Sequence, residues 1–147
     1  PSPSCEKPMA SPNEIRVLLA GRSWWANGLL LFCLYMTVVY LPFDLFYKPV
    51  AQDQEVWFGL MFTGWSAKMG GVLHWLVYGF GAYGFLHHRG WLYPWAGLYV
   101  LQVALSMLLW ALFDERGSGL LQGTIAALPF IGLALLLHLK PTSYTKD

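Results

Sequence analysis

Residues 91–113, WLYPWAGLYVLQVALSMLLWALF, carry no charged side chain and end abruptly at Asp114, Glu115 and Arg116. A helix of that length reaches across the roughly 30 Å hydrocarbon core of a bilayer. Three companion runs accompany it, and the expected spans are about 24–43, 70–88, 91–113 and 120–139. The expected fold is an all-α membrane domain over 24–139, with four transmembrane helices in an up-down bundle. The composition agrees. Charged residues make up 12% of the chain, against about 25% in a soluble domain. Aromatics reach 17% and gather near the ends of the apolar runs, where an interfacial belt requires them. A net charge of +1 offers no basic face and excludes a nucleic-acid partner.

Residues 1–23 read as a cytoplasmic leader. Its first part, 1–12, is rich in Pro and Ser, and Asn13 caps a short amphipathic helix over 13–20 with Ile15, Leu18 and Leu19 on one side. No small-residue cleavage site follows, so the first apolar run is expected to act as an uncleaved anchor. Cys5 lies in the leader and Cys33 in that run, at different depths, which argues against a disulfide between them. Pro42 tends to kink or stop the first span, Pro94 sits in the first turn of the third, and Pro129 is expected to kink the fourth and free the carbonyl of Ile125. Residues 140–147 form a short polar tail.

The longest connection contains EVWFGLMFTGW, too short and too interrupted by Gly59 and Gly64 to span. It is expected as a short interfacial or re-entrant helix, or as an early, tilted start of the second span. That span contains GFGAYG, a formal GxGxxG, but with no preceding strand and no βαβ unit it is not a nucleotide loop. Its small residues suit close helix approach.

Basic residues set the expected orientation. Lys7, Arg16, Arg22, Arg89, Lys140 and Lys146 fall on one side and Lys48, Lys68 and Arg116 on the other. This bias places both termini in the cytoplasm of a bacterial inner membrane.

Polar residues recur at helical spacing in the outer half of each span. They are Thr37, Tyr40 and Asp44; His74 and Tyr78; Gln102, Ser106, Trp110 and Asp114; and Ser118 and Gln122. Polar groups in hydrocarbon face inward and find partners, so these stripes are expected either to tie helices together or to line a ligand pocket. His74 beside Asp44 or Asp114 would make an acid–base pair. A second set, His87, His88 and His138, falls at the cytoplasmic ends; without an accompanying carboxylate or cysteine it suits the headgroup region better than a metal. Haem lacks facing axial histidines at one depth. The midplanes hold no charge, which disfavours ion transport by a single chain.

Two functions remain. One is a binding module or accessory subunit that packs on other membrane helices, on a second copy of itself or on membrane lipid, or holds a hydrophobic ligand in the outer-half pocket. The other is a small membrane enzyme acting on a lipid or isoprenoid through His74 and the outer carboxylates.

Overall fold

The computed structural model describes Arg16 and residues 19–146. The expected leader helix lies outside these residues, apart from Arg16, Leu19 and Ala20, and so does Cys5. A helical bond joins the Ala20 amide to the Arg16 carbonyl.

Four long helices follow. Helix α1 spans Trp24–Phe46, α2 Trp65–Leu86, α3 Leu92–Phe113 and α4 Gly119–Leu139. Three of them, α1, α3 and α4, are long and apolar enough to cross a membrane. They expose large apolar side chains along their lengths, among them Leu31, Val38, Leu101, Leu105, Leu121 and Leu135. Such contiguous apolar surface suits a hydrocarbon surrounding and not water. Helix α2 matches them in length but carries Lys68 and His74 and is rich in glycine.

The connection between α1 and α2 corrects the expectation of a helix and, with it, of an all-α fold. Strand β1, Gln54–Trp57, pairs antiparallel with β2, Leu60–Thr63, in the register Gln54↔Thr63 to Trp57↔Leu60. The two-residue turn is Phe58-Gly59, both at positive φ (51° and 80°), the geometry that matches the twist of a tight hairpin. The glycine that interrupts the apolar segment is the turn that lets it fold back. Helix α2 then begins at Trp65, five residues before the expected start, and the alternative of an early second span is closer to what forms.

Helix α1 does not stop at Pro42. It runs on to Phe46 by widening into a π turn over Met36–Tyr40, where the Leu41 amide bonds the Met36 carbonyl. Pro42 has no amide to give to the preceding turn. The carbonyl of Thr37, left over by this arrangement, accepts the Trp75 indole N–H of α2 at 2.8 Å. In α3, Tyr93 keeps an extended backbone (φ −89°, ψ 129°), so regular helix begins at Pro94. Helix α4 continues through Pro129.

Packing is closest between α3 and α4. Gly97, Ala104 and Ala111 repeat every seventh residue on α3 and are buried, as are Gly123, Ala127 and Ala134 on α4. Small side chains let the two backbones approach, and in hydrocarbon van der Waals contact of this kind replaces the hydrophobic effect as the cohesive force. Helix α1 packs on α2, where Gly81 lies against the Cys33 sulfur. Cys33 is a buried free thiol.

At the end opposite the hairpin, a cluster of Ala26, Leu30, Cys33, Ala82, Phe85, Leu92, Leu137 and Tyr144 unites the four helices. Tyr144 belongs to the tail expected to be simply polar. It is 1% exposed, its hydroxyl donates to the Leu137 carbonyl at 2.7 Å, and its ring meets Trp25 and Phe85. Buried Arg22 closes the same end by donating to the carbonyls of Phe85 and Leu86, acceptors in the last turn of α2.

Candidate functional site

The hairpin is fixed by charge at its base and by the α3 backbone at its tip. At the base, the Asp53 carboxylate, 1% exposed, meets Lys48 at 2.8 Å and Lys68 at 3.2 Å. Lys68 also donates to the Asp44 carbonyl, and Lys48 to the Asp44 carboxylate at 3.2 Å. Burial pushes the Asp53 carboxyl up. The hydrogen bonds and charges of the two lysines outweigh it and leave the group below its ordinary value. At the tip, the Phe58 N–H donates to Ser106 Oγ at 2.8 Å. A Cβ on Gly59 would stand 2.5 Å from Leu109 Cβ, so the turn rests directly on α3.

Beneath the docked hairpin lies a cavity of about 340 Å³, lined by Val56 of β1, His74 and Tyr78 of α2, and Gln102, Val103, Ser106, Met107 and Trp110 of α3. The positions on α3 follow from helical periodicity: residues three and four apart share a face. Most of the lining is apolar.

His74 is the most tightly held polar residue of this wall. Its Nε2 lies 3.4 Å from the Glu55 carboxylate, and its Nδ1 shares a hydrogen bond with the Tyr99 hydroxyl. Trp57 stacks on the imidazole, with ring centroids 4.2 Å apart and planes 29° apart. Glu55 and Trp57 are two apart on β1 and therefore share a strand face. A proton on Nε2 directed to Glu55 leaves Nδ1 to accept from Tyr99, so one tautomer satisfies both contacts.

Of the stripe residues expected to form a ligand site, five line this cavity: His74, Tyr78, Gln102, Ser106 and Trp110. The others lie elsewhere. Thr37 borders a separate apolar groove of about 460 Å³ with Trp75, Leu76, Gly79, Phe80 and Tyr83. Tyr40 is exposed and packs near Tyr35. Asp44 pairs with Lys48. Asp114 accepts the Arg116 amide at 2.9 Å and its guanidinium at 3.1 Å, and these bonds hold its carboxyl below the ordinary range. Gln122 is exposed on α4. The carboxylate beside His74 is thus Glu55, and neither Asp44 nor Asp114 takes that place.

Glu55, Trp57 and Tyr99 were not expected. Tyr99 lies three residues before Gln102 and seven before Ser106, on the same helical stripe, so periodicity alone could have included it. Glu55 and Trp57 become visible only when the segment is read as a strand, since only period-two alternation puts both on His74.

The histidines at the other end do not converge. His87 packs on the Tyr83 ring at 4.5 Å and His138 on the Tyr93 ring at 5.2 Å. His88 is held below its ordinary value by burial and by the neighbouring charges of Arg22 and Lys146. Among the described residues, no three His, Cys, Asp or Glu side chains are grouped to hold a metal ion.

No protein-family profile, no curated protein and no solved structure matches the chain.

Proposed function

We propose that the chain is a four-span integral membrane protein that holds a lipid or other hydrophobic ligand in the cavity between the hairpin, α2 and α3. In this reading α2 is the fourth span of an up-down bundle, both termini are cytoplasmic, the bacterial inner membrane is the setting, and the hairpin covers the outer end. The observation that carries it is the cavity itself. Its volume of about 340 Å³ falls in the range of small-molecule sites, and it combines apolar walls with a few convergent polar groups, as such sites do. The open helix faces around Gly28 and Gly132, where a Cβ would meet nothing within 4 Å, leave room for other membrane subunits or a second copy. That suits a binding module or accessory subunit.

The second reading, an enzyme acting on a lipid or isoprenoid, draws on the Glu55–His74–Tyr99 chain beside the cavity. Such a chain can hold and move a proton. Both imidazole nitrogens are engaged by protein partners, however. His74 could take a proton from a substrate only by giving up Glu55 or Tyr99, and this favours binding over catalysis.

Native mass spectrometry of the gently solubilised protein tests the proposal. A discrete bound molecule is expected on the wild-type chain and is lost in Val103→Phe, whose added ring fills the cavity. A bare wild-type chain, or a bound molecule that Val103→Phe retains, would overturn it.

A further inference from the structure

The cavity wall contains a hydrogen-bond arrangement that does not close on itself. Ser106 Oγ accepts two N–H groups, from Phe58 at 2.8 Å and from Gln102 Nε2 at 2.8 Å. The Gln102 carbonyl oxygen is buried with no hydrogen-bond partner. Among the described residues the Ser106 hydroxyl hydrogen has no acceptor either. Turning the carboxamide over does not repair this. Ser106 would then donate to the Gln102 oxygen, and the amide nitrogen would be left without an acceptor. In either orientation one end of Gln102 remains unpaired, and a buried unpaired polar group is destabilising. The protein contributes the Phe58 amide to this network through the hairpin, so the opening on the cavity side persists while the hairpin is docked.

Resting on the reading of this cavity as a ligand site, we propose that its ligand is an uncharged membrane amphiphile whose head is a hydroxyl group seated on Gln102 and Ser106. A hydroxyl both donates and accepts. It can give its hydrogen to the Gln102 oxygen and accept from Ser106, or accept from the amide nitrogen if the carboxamide is turned. A hydrocarbon completes neither arrangement. A charged head is disfavoured because no Lys, Arg, Asp or Glu lines the cavity, and a charge buried without a partner is strongly unfavourable. Glu55, the carboxylate beside the wall histidine, is committed to His74. The apolar tail then lies along Val56, Val103 and Met107. Long-chain alcohols, isoprenols, sterols and diacylglycerols share this chemistry.

The test uses the full chain in nanodiscs and three brominated quenchers of tryptophan fluorescence: bromododecanol, bromododecane and bromododecanoate. Each is compared at equal mole fraction in the bilayer. The signal from the cavity is the quenching lost in Trp110→Phe, since Trp110 lines the wall. Saturable quenching is expected with the alcohol, at about tenfold lower concentration than with the bromoalkane, the factor one net hydrogen bond supplies. Gln102→Leu is expected to bring the alcohol down to the level of the alkane. The ranking in the wild-type chain decides the question even if Gln102→Leu fails to insert, and Ser106→Ala gives a second variant. Equal saturable binding of alcohol and alkane would overturn the hydroxyl seat while leaving the cavity as a ligand site. Strongest binding of the carboxylate would overturn the uncharged head. No saturable quenching by any probe would overturn the cavity reading, and this inference with it.

Discussion

Asp53 binds the hairpin to the ends of α1 and α2 through two lysines that would otherwise repel each other. Replacing it with Asn removes a buried charge and leaves Lys68, itself buried, without its carboxylate. Breaking a buried pair in this one-sided way costs about 3–5 kcal/mol. Asp53→Asn is therefore expected to release residues 50–63 to hydrogen exchange while the helices stay protected. The pH dependence has a definite sign. The folded carboxyl titrates below its ordinary value, which for Asp is about 4. Its stabilisation is complete above that value and is lost as the pH falls through it toward the folded value, because the unfolded chain takes up the proton first. Exchange of the hairpin should accelerate on that acid limb in the wild-type chain, and the limb should flatten in Asp53→Asn. Gly59 offers a second test at this scale. It combines φ of +80° with a Cβ position 2.5 Å from Leu109. Gly59→Val should unseat the hairpin at a cost of about 1–3 kcal/mol, seen as a lower melting temperature and loss of ligand. At single-residue level the sequence revealed the Gln102, Ser106 and Trp110 stripe, because helical spacing fixes a shared face. It did not reveal the partner of His74, because the candidates Asp44 and Asp114 are helix-end carboxylates held by lysine and arginine partners.

Two elements departed from expectation for reasons of local chemistry. The segment EVWFGLMF was weighed against helix lengths and found too short to span. A strand rises roughly 3.3 Å per residue and needs only a handful of residues. Read that way, a two-residue turn ending in glycine between aromatic and aliphatic residues is a hairpin signal. Helix α1 illustrates the opposite case. Pro42 was expected to kink or stop it, but the helix absorbed the proline by a π turn and α2 supplied a donor to the Thr37 carbonyl. Trp75→Phe should leave the Thr37 carbonyl without a partner in an apolar surrounding and lower stability by about 1–3 kcal/mol. Thermal unfolding in detergent would measure this, and an unchanged midpoint would show that Thr37 finds another donor. The boundaries of α3 and α4 were legible to within a residue because charge, glycine and proline punctuate both ends.

On the scale of the whole molecule, the four-span arrangement depends on α2. Helices α1, α3 and α4 are apolar enough to span on their own composition. Helix α2 carries Lys68 near its start, yet that lysine is buried against Asp53 at the hairpin base and the remaining length faces α1 with glycines and aromatic rings. A paired charge at a helix end is compatible with insertion. With α2 crossing, an even number of spans separates the two ends of the domain, and the hairpin lies opposite the tail. With α2 lying along the surface, three spans remain and the hairpin and tail share one side. Substituted-cysteine labelling separates these directly. In a chain with Cys5 and Cys33 replaced by serine, Thr63→Cys on exposed β2 and Ser143→Cys in the tail are treated with a membrane-impermeant maleimide in sealed vesicles of known orientation. Labelling of the two positions from opposite faces is the predicted result. Labelling of both from the same face would contradict the four-span arrangement and remove the cavity from the outer half of a membrane bundle.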